Sequence, residues 1–387
     1  MEGEAASLSN LGLAYSNLGD FKQSALFYEE CLPLSRRAGD RVGESIALNS
    51  LGVCYYSTGE SRRALECFEE ARLIAREIGS ARCEAAALSN LGVSYKDNCQ
   101  FELAIETYGR ALALSRGVGD WRGEESSLIK LGVAYSELGQ TSAAMECYEQ
   151  ALAIAVKARD RSGESGALAN LGNAYHALRA FGRAIECHER ALAIDREIGD
   201  RYGEGKSLQN LGRAYDAIGE HRRAVECYGR RCSIARDIGD RYGEGKSLSS
   251  TGSSFLKVGE AQEAIRLCER ALAIFHELGR RRDEAETLGV IGRAYSALGD
   301  TNTAVEIFRQ QSSAAREAGD RRGEMKALLN MSLEYDKVND LARAVGNAES
   351  ALKILVGMGD PGAEKVRALL EHWRKGAPTR DQPKAGG

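Results

Sequence analysis

The sequence has little of what a sheet protein, a membrane protein or a nucleic-acid binder needs. Only 4 of its 387 residues are proline and 6% are aromatic, whereas Ala, Leu, Glu and Arg are abundant, a composition that favours helix. No apolar run approaches the roughly 20 residues of a membrane span. The formal net charge of -4 excludes an overall basic field for nucleic acid or an acidic membrane surface.

Residues that carry chemistry are present, but they lack the spacing that a site needs. The 10 cysteines include no Cys-x-x-Cys pair, and the 5 histidines have no helical metal-ligand spacing. The sequence also shows no pattern typical of a Ser/His/Asp triad or of a phosphate-binding loop. We therefore expect a non-enzyme that holds no metal and no cofactor. The start of the chain has no basic segment followed by an apolar core, so we expect no secretory signal and a cytosolic location.

A period of 40 residues runs through most of the chain and decides the fold class. In the fifth copy, Leu168, Leu171, Gly172 and Tyr175 follow the spacing of one helix face. The first of these positions is Leu in nine copies: Leu8, Leu48, Leu88, Leu128, Leu168, Leu208, Leu248, Leu288 and Leu328. A second helical pattern follows in each copy. The period therefore predicts nine helical hairpins.

The ends of the predicted helices are marked in the same register. Gly199 stands just past one helix, where a left-handed residue is needed, and Asp200 can cap the next helix. A Glu follows in the first turn of every copy, from Glu4 to Glu324, where a carboxylate favours the positive helix end. We interpret these Glu residues as structural.

The fifth copy carries the motif that identifies the repeat. Asn170-Leu171-Gly172-Asn173-Ala174-Tyr175, with Ala-Ile-Glu-x-His-x-x-Ala-Leu from Ala184, resembles the tetratricopeptide repeat (TPR). The longer unit is similar to the repeats of the LGN/Pins family. This resemblance implies an all-α solenoid of two-helix repeats, wound as a right-handed superhelix. LGN/Pins proteins carry Gα-binding GoLoco motifs after the repeats; we expect none here, and no direct G-protein regulation.

The expected organisation is a repeat array, a cap and a tail. Nine repeats fill residues 1–359, a capping helix fills 360–375, and 376–387 are a disordered tail. Asp360-Pro361 is a helix start with Pro at the first helical position. The apolar face of the capping helix comprises Val366, Leu369, Leu370 and Trp373. The last repeat of a solenoid needs such a lid.

The first helix of each copy is expected to line the concave groove of the array. Its side opposite the core falls in the registers of positions 166, 169, 170 and 173. In the first four copies the registers of positions 166 and 173 are small and apolar, as at Ile46 and Val53. From the sixth copy on they include basic residues: Lys206, Arg213, Lys246, Arg293 and Lys326. We expect a protein or peptide partner with an apolar and an acidic portion.

Asparagine recurs on the same predicted face. The residues are Asn10, Asn90, Asn170, Asn210 and Asn330, with Asn173 nearby. An Asn amide offers donors and an acceptor, so it can pair with a peptide backbone whatever the peptide's side chains. The TPR resemblance implies such a ladder along an extended partner. Alternatively, each Asn is solvated or bonds the adjacent repeat.

The favoured function is a non-catalytic adaptor or scaffold that binds an extended peptide segment in the groove. The runner-up is a regulatory sensor that changes its superhelix pitch on binding a short peptide. Arg231 and Gln311 replace the usual Ala of the packing pattern and would loosen such an array. A self-associating structural rod is the third reading. We expect neither nucleic acid nor membrane insertion in any of the three.

Overall fold

The computed structural model describes residues 2–376, which form helices and no strand. The helices are α1 (Glu2–Asn17), α2 (Phe21–Ala38), α3 (Arg41–Ser57), α4 (Ser61–Glu77), α5 (Ala81–Asp97), α6 (Phe101–Gly117), α7 (Trp121–Glu137), α8 (Thr141–Ala158), α9 (Arg161–Ala177), α10 (Phe181–Glu197), α11 (Arg201–Ala217), α12 (His221–Asp237), α13 (Arg241–Lys257), α14 (Ala261–Glu277), α15 (Arg281–Ala297), α16 (Thr301–Glu317), α17 (Arg321–Lys337), α18 (Leu341–Gly357) and α19 (Ala363–Gly376).

The chain divides into two compact units at the junction of Gly199 and Asp200. The N-terminal unit holds α1 to α10 and the C-terminal unit holds α11 to α19. In both units each odd-numbered helix packs against the next helix as a hairpin. Odd-numbered helices also contact one another, as α5 contacts α7 and α15 contacts α17. Across residues 2–376 the predicted all-α class, the nine hairpins and the closing helix are confirmed.

A glycine on the first helix makes room for a ring on the second helix. A Cβ on Gly132 would lie 2.5 Å from the ring of Tyr148, and a Cβ on Gly52 would lie 2.5 Å from the ring of Phe68. His188 fills the same place over Gly172 in the fifth repeat and is buried. The recurring Leu-Gly pair is therefore a packing motif, since the glycine lets two helices approach with a ring between them.

The turns are closed as the sequence predicts. Gly199 has a φ of +72°, which side-chain-bearing residues rarely adopt. In the next turn, Asp200 Oδ1 accepts a hydrogen bond of 2.9 Å from the amide of Gly203. The same Asp cap closes the N-terminus of α9, where Asp160 accepts from Gly163 at 3.0 Å. These caps satisfy helix-end amides that have no partner within the helix.

Several of the first-turn Glu residues join consecutive helices, as the structural interpretation expects. Glu244 is buried and accepts from Arg236 and Arg241, each at 2.7 Å. The other arm of Arg241 reaches Glu277 at 2.8 Å, so α12, α13 and α14 are tied together. Burial by itself would raise the pKa of Glu244, but hydrogen bonds and charge from the two guanidinium groups outweigh it and lower that pKa. We call this arrangement the Arg–Glu–Arg clamp.

The third repeat lacks the clamp. Ala81 stands where the first-helix arginine would be, and Glu84 has no ion pair within the described part of the chain. The second repeat has the clamp, with Glu44 between Arg36 and Arg41. The repeats therefore share their hairpin geometry without sharing every ion pair.

The last helix covers the final hairpin. Val366, Leu370 and Trp373 are buried on the side that packs against α18, and Leu369 is half-buried. The prediction of a helix start at Asp360-Pro361 is wrong, because Asp360 accepts from the amide of Gly362 in a turn and α19 begins at Ala363. Residue 376, assigned to the tail, is the last residue of α19, and residues 377–387 lie outside the described residues.

Candidate functional site

The first helices of the C-terminal unit border an open pocket of about 700 Å³. Its walls come from α13, α15 and α17, whose solvent-facing positions fall at helical spacing. Five cationic and two acidic side chains line it: Lys246, Arg282, Arg293, Arg322, Lys326, Glu286 and Asp320. We call it the C-terminal pocket. A volume of this size lies within the range of about 300–1,000 Å³ that is typical of ligand sites.

Two of the five cations already have acidic partners. Lys246 Nζ lies 3.0 Å from Asp283 Oδ1 and 3.4 Å from Glu286 Oε2. Burial by itself would lower the pKa of Lys246, but the hydrogen bond to Asp283 and the two carboxylate charges outweigh it and raise that pKa. Arg282 approaches Asp320 at 3.9 Å. Neither side chain needs an external anion.

The other three cations have no carboxylate partner in the region from residue 2 to residue 376. They are Arg293 on α15, and Arg322 and Lys326 on α17. Arg293 Nε donates to the carbonyl oxygen of Gly289 at 3.1 Å, which holds its guanidinium against its own helix. Arg322 and Lys326 are four residues apart and therefore share one helix face. We call these residues the three unpaired cations.

Three of the five predicted basic residues line the C-terminal pocket. These are Lys246, Arg293 and Lys326, whereas Lys206 and Arg213 are exposed on α11. Lys206 Nζ lies 4.5 Å from the ring centroid of Tyr202 on its own helix. Sequence reasoning missed Arg322, although its spacing of four from Lys326 indicates the same face.

The asparagines do not form a uniform ladder. Asn90 Nδ2 donates to Asn49 Oδ1 at 2.9 Å, so this residue bonds the adjacent repeat, as the alternative interpretation has it. Asn170 Nδ2 donates to the carbonyl oxygen of Gly166 at 3.0 Å within its own helix. Asn330 lines the C-terminal pocket. The remaining predicted side chains are exposed or half-buried: Asn10, Asn173 and Asn210.

The corresponding face of the N-terminal unit exposes apolar side chains at its start. Leu13 and Ile46 are exposed there, at 53% and 46%. Between α5 and α7 the face holds a smaller pocket of about 260 Å³. Lys130 Nζ donates to Ser89 Oγ at 2.5 Å beside this pocket, and burial lowers the pKa of Lys130. Lys130 lies outside the registers of positions 166 and 173, so the expectation of an apolar face in those two registers stays a prediction.

Five of the ten cysteines are buried and one, Cys99, is exposed. All ten are free thiols. Burial raises the pKa of Cys147 to about 11, so little of this thiol is in the nucleophilic thiolate form near neutral pH. No group of three or more His, Cys, Asp or Glu side chains in the described chain is arranged to hold a metal ion. None of the helices within residues 2–376 has the length and apolarity to cross a membrane.

A family model for the tetratricopeptide repeat matches residues 3–77, 83–155, 164–237 and 247–317. The chain belongs to the tetratricopeptide repeat family. This TPR assignment agrees with the hairpins and the glycine–ring packing described above. A comparison with curated proteins finds no match.

Solved structures of other proteins share the TPR fold of this chain. The apo form of the quorum sensor NprR from B. thuringiensis matches with a TM-score of 0.63 at 13% identity, covering 92% of this chain and 99% of that one. A Rap protein complexed with competence and sporulation factor matches with a TM-score of 0.59 at 15% identity, covering 97% and 100%.

A third structure belongs to a longer chain. It is a signal transduction ATPase with numerous domains and a tetratricopeptide repeat sensor, from Pyrococcus horikoshii. The TM-score is 0.64 at 15% identity, with 91% of this chain and 54% of that chain covered. At these identities the three likenesses show the fold alone.

Proposed function

We propose that this TPR protein is a non-catalytic adaptor that binds an extended peptide segment of a partner on the face of its first helices. The observation that carries the proposal is the set of three unpaired cations beside the C-terminal pocket. An acidic side chain of the partner would meet Arg293, Arg322 or Lys326 without displacing a carboxylate of the protein itself. Hydrogen bonds to charged groups contribute about 1.5–3 kcal/mol each, so a few suffice for measurable affinity.

The other end of the peptide is proposed to be apolar. Leu13 and Ile46 expose apolar surface on the first helices of the N-terminal unit. The fit of an apolar portion is a weaker inference than that of the acidic portion, because single exposed apolar residues are common on protein surfaces. The resemblance to LGN/Pins-type repeats stays a prediction from the length of the repeat unit.

A regulatory sensor is the second candidate function. It is favoured by the likeness to NprR, which is described as a quorum sensor, and to a Rap protein complexed with a factor. A sensor must change its helix packing on binding, whereas an adaptor need not. Small-angle X-ray scattering with and without bound peptide separates the two candidates, since only a sensor changes its profile.

The proposal is tested by reversing the three unpaired cations together. We expect R293E/R322E/K326E to weaken binding of an acidic peptide at least about 100-fold, because each lost charge-assisted bond contributes about 1.5–3 kcal/mol. The probe is a library of N-acetylated, C-amidated octapeptides with Leu or Ile at one end and two Glu at the other, read by fluorescence anisotropy. Lys246 is left unchanged, because a Glu there would face Asp283 and Glu286.

A matched control separates the pocket from net charge. Arg230, Arg270 and Lys353 are exposed on the second helices of the same unit, so R230E/R270E/K353E makes the same charge change elsewhere. We expect the control to bind within about threefold of wild type, since exposed charges distant from a ligand are screened by salt. Equal losses in both variants would mean that net charge, not the pocket, attracts the peptide. If no library member binds the wild-type protein, the proposed function is wrong.

A further inference from the structure

Gln311, on α16, is a buried amide whose role in packing is not evident. It is only 4% exposed, and its Oε1 has no hydrogen-bond partner within the described residues. Other repeats place Ala at this position: Ala71, Ala111, Ala151, Ala191, Ala271 and Ala351. A buried amide oxygen without a partner lowers stability, so packing alone gives no reason for this residue.

Gly289, on α15, makes the room that Gln311 needs. A Cβ on Gly289 would lie 2.7 Å from Gln311 Nε2 and 3.2 Å from Gln311 Oε1. The carboxamide therefore lies directly over the Gly289 backbone, where only glycine leaves space for it. Both residues line the C-terminal pocket. Gln311 thus lies across Gly289 at the edge of the pocket, and because Oε1 itself is buried, the carboxamide turns about its terminal torsion to present Oε1 to a ligand.

Arg231 shows that a long side chain at this position does not need an external partner. It is the other long side chain in this register, where the first repeat has Cys31, and it lies against Gly243 on α13, where a Cβ would lie 2.6 Å from Nη1 and from Nη2. Arg231 Nη2 lies 3.4 Å from Asp240 Oδ2, so its charge is met inside the protein. Both long side chains lie against a glycine of a first helix. The charge of Arg231 is met by Asp240, although its Nε has no hydrogen-bond partner within the described residues, whereas the Gln311 acceptor has no partner at all there.

The chemistry of the pocket indicates what that acceptor is for. Arg293, Arg322 and Lys326 only donate hydrogen bonds, whereas a carboxamide can also accept. A simple anion that is fully ionised near neutral pH, such as sulfate or acetate, offers acceptors to the cations but no donor to Gln311. An acidic residue within a peptide offers both, since its carboxylate accepts and its backbone N–H donates.

We propose that Gln311 is a specificity-determining residue whose Oε1 accepts the backbone N–H of an acidic residue in a bound peptide, while the unpaired cations hold that residue's carboxylate. The proposal rests on the proposed function and names the ligand class of the same site. Gln311 then discriminates an acidic peptide segment from a free anion, which the cations alone cannot do.

The chain itself supplies the variant that tests the proposal. In the fifth repeat the two positions are Ala169 and Ala191, so G289A/Q311A copies a pairing that already folds in this chain. We expect its melting temperature to equal or exceed that of wild type, because a buried unpaired acceptor is removed and a helical glycine becomes alanine. We expect the tightest acidic octapeptide to bind about five- to tenfold more weakly, the effect of one lost hydrogen bond.

A backbone ester identifies the bond itself. In a depsipeptide version of the same octapeptide, the amide N–H of one Glu at a time is replaced by oxygen. We expect an ester at one position to weaken binding to the wild-type protein about five- to tenfold. The same ester should leave binding to G289A/Q311A unchanged, because that variant no longer has the Gln311 acceptor. Sulfate, measured by isothermal titration calorimetry, should bind both proteins equally.

The possible results distinguish the role of Gln311 from peptide binding itself. If both proteins lose the same affinity at every ester position, or if the variant binds the peptide as tightly as wild type, the role of Gln311 is wrong while peptide binding stands. A fall in melting temperature with unchanged affinity would make Gln311 a structural residue. If sulfate binds but no peptide does, the proposed function and this inference both fail.

Discussion

Two lysines on first helices, one in each unit, have opposite surroundings. Lys130 donates to Ser89, has no carboxylate partner among residues 2–376, and has a pKa lowered by burial. Lys246 contacts Asp283 and Glu286, which outweigh its burial and raise its pKa. The hairpins that carry them are alike. The direction in which the pKa of a groove lysine shifts therefore depends on whether the neighbouring first helix, one repeat away, presents a carboxylate.

We expect substitutions of packed glycines in the hairpins to have the largest effect on the free energy of unfolding. In the N-terminal unit, Gly132→Ala would force a Cβ against the ring of Tyr148, and we expect it to lower the free energy of unfolding by about 2–3 kcal/mol. In the C-terminal unit, the nearest neighbour of a Cβ on Gly205 is the flexible end of Arg231 at 3.5 Å. Gly205→Ala should be neutral or raise stability by up to about 1 kcal/mol. Urea unfolding followed by circular dichroism measures both, and equal losses would contradict the difference.

Substitutions in the Arg–Glu–Arg clamp should have the second-largest effect on the free energy of unfolding. Glu244→Gln should lower the free energy of unfolding by about 1–3 kcal/mol at pH 7, because a buried charge-assisted pairing is lost. Glu84→Gln, in the repeat without a clamp, should change it by less than about 0.5 kcal/mol.

The pH dependence of this difference follows from the lowered pKa of Glu244. The stabilisation is fully present above the unfolded-state pKa of about 4.3 and is lost as the pH falls through the lower folded-state pKa. The gap between wild type and Glu244→Gln should therefore narrow below about pH 4. A gap that stays constant down to pH 2 would show that the carboxylate charge plays no part.

The two groove lysines should respond to the same substitution with opposite signs. Lys130→Met should raise the free energy of unfolding by about 1 kcal/mol, since it removes a partly buried charge without a carboxylate partner. Lys246→Met should lower it by about 1 kcal/mol, since Asp283 is then left without its cation. Both changes in the free energy of unfolding are expected below about pH 10, because both lysines are charged there in the unfolded chain. Chemical denaturation at pH 7 compares them, and two changes of the same sign would refute the contrast.

The period of the sequence predicts the hairpins because helix packing repeats what the sequence repeats. Leu168 and Leu171 are buried, Gly199 is left-handed and Asp200 caps α11, each as the spacing indicates. Local rules suffice at these positions, since a cap or a packed face involves residues within one hairpin.

The candidate site was predicted less well, because its chemistry depends on partners about one repeat away. The spacing places Lys246 and Lys326 on the same kind of face but does not reveal that Asp283 neutralises only the first. Likewise, the sequence marks Gln311 as a departure from Ala, yet only the structure shows Gly289 making room for it. Asn90 illustrates the same point, since its bond to Asn49 joins residues of neighbouring repeats.

The clamp has a consequence for how such a chain changes its length. Removing residues 241–280 would join Asp240 to Arg281, and Arg236 would then precede Glu284 and Arg281 by the same intervals that now separate it from Glu244 and Arg241. A gene can therefore lose or gain 40 codons at a cap without needing a new loop or a new ion pair. The sequence from Arg201 to Leu208, repeated without change from Arg241 to Leu248, is what such an unequal exchange leaves behind.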